Sequence, residues 1–179
     1  MTTDKATTVN RERADLLETL AKHRGFLRYT VHGLSDEQAA ERPTVSALCL
    51  GGLIKHVAEV ESGWVDFIVD GPAVMAGNID EWTAESSADE WNSRFSMTAD
   101  DSLSGLLVRY DEVTRRTDEV VVSLPDLDAG HPLPEAPWFE RGGHWSARRV
   151  LLHIIAETAQ HAGHTDIIRE ALDGSKTMG

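Results

Sequence analysis

One unbroken stretch of helical periodicity, from Ser146 to Leu172, constrains this chain more than anything else in it. It predicts a single helix of roughly 27 residues, about 40 Å long at 1.5 Å per residue. Ser146 is placed to cap its N-terminus and Gly174 to stop it just past the end. The apolar stripe reads Val150, Ile154, Glu157, His161, His164, Ile168 and Ala171. Its steps alternate between four and three residues, which is the core seam of a helical bundle. Three ionisable residues thus stand where the pattern calls for apolar ones. Buried charges are normally paired or bound to metal.

Periodicity places three more long helices before it, and alternating strand patterns are nearly absent. The first runs from about Asn10 to Val31, with Leu16, Leu17, Leu20, Phe26 and Leu27 on its apolar face. Ser35-Asp-Glu-Gln38 is a capping box opening a short turn that ends before Pro43. The second, about Leu48 to Val69, carries Leu53, His56, Val57, Val60, Trp64, Phe67 and Ile68, and sets His56 beside the seam. Gly71-Pro72 breaks it. An irregular stretch from Pro72 to Asp100 follows, holding Trp82, Trp91 and a short helix expected at Ser87-Ala-Asp-Glu90. The third helix runs from about Asp101 to Leu124 on Leu103, Leu106, Leu107, Tyr110, Val113, Thr117 and Val121, and Pro125 ends it. A long loop then contains Pro132, Pro134, Pro137, Trp138, Phe139 and Gly142-Gly143; loops of this length are usually functional or mobile. The expectation is an all-α four-helix bundle with irregular loops between helices two and three and between three and four. Residues 1–179 form one domain on this reading.

Composition narrows the function. A formal charge of −13 argues against nucleic acid, whose affinity comes from phosphate neutralisation by Lys and Arg, and against anionic membranes. No apolar run is long enough for a span, and the N-terminus lacks a signal-peptide core. A single cysteine, Cys49, excludes an intramolecular disulfide and suits a cytoplasmic setting. Cys49 lies about 10 Å along the helix from His56, too far to share a ligand with it, and reads as a small buried residue.

Glu157 and His161, four apart, stand one above the other on one helical face. With His56 from the second helix they form a two-histidine, one-carboxylate set with positions left open, as catalytic metal centres require. The same residues also read as a buried Glu–His ion pair without metal. Gly163, two residues on, marks either a close approach or a tolerated defect. His164 is a hydrogen-bonding partner of the centre, a proton carrier, or a core histidine. His153 falls off the inner stripe. Glu59 and Glu61 are assigned to the helix surface or flank ahead of a role supporting the metal ligands, and Arg148 and Arg149 to pairing with surface acids ahead of binding a polar end of a substrate. Trp138, Phe139 and Trp145 form either a lid wall or core anchors.

His56 within Leu-Ile-Lys-His-Val-Ala-Glu-Val-Glu, together with Glu157-xxx-His161-Ala-Gly-His164, resembles the DinB-like superfamily. The likeness covers nearly the whole chain in helix order and length. The string from Trp145 to His164 looks most like its actinobacterial branch. Many members carry histidine at all three ligand places; here Glu157 takes the middle one, as in mycothiol-dependent maleylpyruvate isomerase-like members. The common His-Arg-Gly-Gln ending is here His161-Ala-Gly-His164, so His164 takes the glutamine place.

The resemblance implies a four-helix bundle, often a homodimer, holding a divalent metal through His56, Glu157 and His161. Zinc is the first choice for this ligand set, and nickel or iron fits the same donors. The implied activity is thiol S-transfer. A low-molecular-weight thiol such as mycothiol is activated at the open position and attacks an electrophilic small molecule. Two alternatives use the same residues: a hydrolase activating water, and a non-catalytic metal-binding bundle.

Overall fold

The computed structural model describes residues 10–75 and 93–177. Trp82, Trp91 and the helix expected at Ser87-Ala-Asp-Glu90 lie outside them. Among the described residues four long helices form: α1 (Arg11–Tyr29), α3 (Leu50–Asp70), α4 (Leu103–Ser123) and α5 (Ala147–Asp173). A short α2 (Asp36–Ala40) precedes α3, and a 3-10 turn (Pro72–Met75) follows it. None of the described helices is long and apolar enough to cross a membrane.

Each start is fixed by a side chain that accepts one of the orphan N–H groups of the first turn. Asn10 caps α1, Ser102 caps α4 and Ser146 caps α5. Ser35 and Gln38 satisfy one another's backbone in the capping box of α2. The cap of α3 is Cys49, whose sulfur accepts from Gly52 N; the thiol is buried, as expected, and works as a cap. At the far end of α5, Gly174 adopts φ +81°, a left-handed turn that glycine enters without penalty.

The helices pack as a bundle, α5 against α1 and α3, and α4 against α3 and α1. The long loop before α5 is more ordered than its composition suggested. Residues Gly130–Pro132 (β1) and His144–Ser146 (β2) pair antiparallel, with His131 opposite Trp145. A side chain at Gly130 would strike the Trp145 carbonyl, so the close pairing needs glycine there. Ala147 N donates to Ala129 O at 2.8 Å and Arg148 N to Leu127 O at 2.9 Å, tying the start of α5 to the chain leaving α4.

The apolar core falls into two clusters along the bundle. One gathers Leu27, Leu50, Leu53, Ile54, Val57 and Leu106 among others. The second gathers Leu16, Leu20, Trp64, Phe67, Leu151 and Ile154. Polar side chains lie between them. Glu61, expected at the surface or flank, is fully buried. It accepts from Arg24 Nη2 at 2.5 Å, Arg24 Nε at 3.3 Å and Thr117 Oγ1 at 2.6 Å. Arg24 Nη1 also donates to Asp118 at 2.8 Å. Tyr110 joins this belt; burial, reinforced by the Glu61 carboxylate, raises its pKa and keeps the phenol protonated.

The buried face of α5 also differs from the expected seam. Its buried residues are Ala147, Val150, Leu151, Ile154, Thr158, His161, Ala162, Thr165 and Ile168. Thr158 and Thr165 take core places; Glu157 and His164 sit half-buried on the flank, and Ala171 is exposed. The buried set keeps the same alternation of four and three through Ala147, Leu151, Ile154, Thr158, His161, Thr165 and Ile168, but the row beside Ile154, His161 and Ile168 runs through Thr158 and Thr165, one residue after Glu157 and His164. The two threonines are tolerated in core places because their hydroxyls donate to Ile154 O and Ala162 O.

Candidate metal centre

The half-buried flank of α5 faces α3, and His56, Glu157 and His161 meet there. One ligand atom from each lies within 4.8 Å of the others. The carboxylate and ring of one α5 turn face each other, with Glu157 Oε2 3.5 Å from His161 Nε2. Across the helix gap the rings of His56 and His161 stand edge to face, 4.9 Å between centroids at 80°. Phe95 covers the other side of His56 at 4.4 Å. His161 is buried, while His56 and Glu157 are half-buried, so the group opens toward one side of the bundle.

The electrostatics suit a cation. Burial, with help from His161, lowers the pKa of His56 to about 4 against the opposing pull of Glu157. The ring is therefore neutral near pH 7 and its lone pair is available. The contact with His161 holds Glu157 below the ordinary carboxylate range, outweighing the opposing effect of burial. Around a tetrahedral ion with bonds of 2.0–2.1 Å, neighbouring ligand atoms stand about 3.4 Å apart. The Glu157–His161 separation already matches that spacing, and side-chain rotation closes the rest. Two imidazole nitrogens and one carboxylate oxygen with room beside them fit a divalent ion.

Of the remaining sequence-derived candidates, His164 reaches the centre from outside: its Nδ1 is 3.4 Å from His161 Nδ1. One ring donates and the other accepts, according to tautomer. Gly163 is exposed, and no described atom lies within 4 Å of where its Cβ would sit, so it marks no close approach. Arg148 pairs with Glu12 and Asp128, as expected of a surface arginine. Arg149 instead lies over the Trp145 ring at 4.1 Å. Glu59 is exposed and stands 3.7 Å from Arg109. Trp138 is 47% exposed, whereas Phe139 and Trp145 pack on the second core cluster.

His153 is closer to the centre than the seam implied. Its Nε2 lies 3.7 Å from Glu157 Oε1, and its ring meets Trp64 at 5.0 Å and Trp145 at 5.2 Å. The signal was its spacing, four residues before Glu157 as His161 is four after.

The crystal structure of a conserved protein from Enterococcus faecalis matches with a TM-score of 0.67 at 12% identity, covering 90% of this chain and 97% of that one. At that identity the likeness bears on the fold alone. Comparison with curated proteins gives no match. The mycothiol S-transferase family matches residues 15–174, a span that takes in all of α3, α4 and α5, nearly all of α1, and every residue of the candidate centre. The chain belongs to the mycothiol S-transferase family of DinB-like bundles.

Proposed function

We propose that the protein is a metal-dependent thiol S-transferase that joins a low-molecular-weight thiol, mycothiol by family, to an electrophilic small molecule. The observation that carries this is the convergence of His56, Glu157 and His161 within 4.8 Å, on a chain of a thiol-transferase family. Residues 1–179 act as one metal-binding domain, with His56, Glu157 and His161 as the ligands and zinc as the ion. A divalent ion there supplies a Lewis acid that lowers the pKa of a coordinated thiol.

The chain's own groups do the rest. His56, neutral through burial, offers a nitrogen without first losing a proton. Glu157 brings the single negative charge, so the set leaves net positive charge to attract a thiolate. His164, against the far side of His161, fixes that ring's tautomer and orientation. In the overall reaction the thiol sulfur bonds to the electrophilic carbon, the leaving group departs with its electron pair, and the thiol proton is released.

Metal content of wild type and of His56→Ala, Glu157→Ala and His161→Ala, measured by plasma mass spectrometry, tests the ligand set. Near-stoichiometric zinc in the wild type and its loss in each variant is the expected result. Turnover of 1-chloro-2,4-dinitrobenzene with and without mycothiol then separates thiol transfer from hydrolysis. Ester hydrolysis without added thiol would favour the water-activating alternative. A folded wild type that takes up no divalent metal would overturn the catalytic reading.

A further inference from the structure

Glu157 offers two oxygens, and a histidine faces each. Oε2 lies 3.5 Å from His161 Nε2, and Oε1 lies 3.7 Å from His153 Nε2. Among the described residues no lysine or arginine pairs with this carboxylate. The His153 ring is held in place, its edge contacts to Trp64 and Trp145 backed by those two indoles stacking on each other at 4.8 Å and 18°. A box that fixes a ring also fixes where its nitrogens point, and Nε2 points at the oxygen His161 does not face. Arg149, one turn before His153, has its guanidinium over the Trp145 ring at 4.1 Å.

We propose that His153 is a positioning residue of the metal centre: its Nε2–H engages Glu157 Oε1 and leaves Oε2 alone to serve as the ligand beside His56 and His161. This rests on the metal reading above. The terminal torsion of a glutamate is broad, so a small rotation of the carboxylate shortens 3.7 Å to a hydrogen bond. The chemical consequence is coordination number. A carboxylate ligating through one oxygen keeps a position open for the thiol, whereas one ligating through both would fill it.

The test compares zinc affinity, by competition with a chromophoric chelator, across wild type, His153→Phe and His153→Gln. Phenylalanine keeps a flat ring in the box and removes the N–H; glutamine places an amide N–H near the position of Nε2. Loss of such a partner weakens metal binding by about 10–100-fold, and the glutamine variant is expected to stay within about threefold of wild type. With Co2+ in place of zinc, the phenylalanine variant should show weaker visible absorption, because bands fade as coordination rises above four. Equal zinc affinity in wild type and His153→Phe would overturn the proposal. So would equal loss in both variants, which would assign the effect to the ring's packing. If His153→Phe does not fold, His153→Leu takes its place in the comparison. Wild type that binds no zinc overturns the metal reading itself, whereas zinc-loaded wild type with an indifferent His153→Phe overturns only this inference.

Discussion

Arg24→Met should be among the most damaging single substitutions away from the candidate metal centre, and the structure says how damaging. The guanidinium reaches Glu61 through two nitrogens and Asp118 through a third. Burial alone would lower the Arg24 pKa, but Glu61 and Asp118 outweigh it and the net shift is upward, so the guanidinium stays charged. Asp118, Thr117 and Glu61 lose unequal amounts when the arginine goes. Asp118 is 47% exposed and regains water. Thr117 keeps its bond to Val113 O at 3.0 Å. Glu61 has no exposed surface and is left with one hydroxyl against a buried carboxylate. Removing one partner of a buried pair costs about 3–5 kcal/mol, which is a fall in Tm of roughly 6–20 °C for a chain of this size. Replacing both partners by apolar groups is close to neutral, so Arg24→Met/Glu61→Leu should recover most of the loss. Urea unfolding of metal-free protein, followed by circular dichroism, reads both numbers. A loss below about 1 kcal/mol in Arg24→Met, or a double variant no better than the single, would refute the assignment of the penalty to a stranded Glu61.

Other consequences are simpler to check. Gly163→Ala, on an open face inside α5, should stabilise by about 1 kcal/mol, visible as a raised Tm. Gly52→Ala should do the reverse: its Cβ would collide with the Phe95 backbone, and overpacking of this kind costs about 1–3 kcal/mol. Because Phe95 covers His56, zinc affinity should fall with it. The lowered pKa of His56 fixes a pH dependence in the metal-free protein. The depressed group contributes stability above its unfolded value of 6.5, and that contribution is lost as pH falls toward about 4. Unfolding titrations between those pH values should show the loss in wild type and a shallower slope in His56→Asn; identical slopes would contradict it. His153, also lowered by burial, adds to the same trend.

The sequence showed its helices well because their ends are local events. Asn10, Ser35, Ser102, Ser146 and Gly174 each satisfy or turn a backbone within three or four residues, and such chemistry is visible in a short window. The His56, Glu157 and His161 grouping was legible for a related reason: i to i+4 spacing determines one pair, and only His56 needed the fold. Three features were hidden. Glu61 reads as one of several acids on α3, and only Arg24 and Thr117, from two other helices, show that it is buried. The α5 face was misjudged because the row through Ile154, His161 and Ile168 was paired with Glu157 and His164 on one side of it, whereas Thr158 and Thr165, polar by type, pack on the other. That error moved Glu157 inward, and it moved His153 out of view. The β1–β2 pairing has three residues a strand, too few for an alternating pattern, and depends on space at Gly130 that a linear reading does not reveal.

The paired strands before α5 separate two tasks that many catalytic scaffolds leave entangled. Leu133 N meets Gly143 O at 2.8 Å, closing the ladder above residues 134–142, while Ala129 and Leu127 hold the first turn of α5 below it. Residues inserted or removed inside that closed tip change its reach without rotating α5, and the entropic cost of extra length grows slowly. The tip carries Trp138 and Phe139 beside the indoles that hold His153. Changes in what approaches the candidate centre can therefore be made in the tip while the helix that carries Glu157 and His161 keeps its setting.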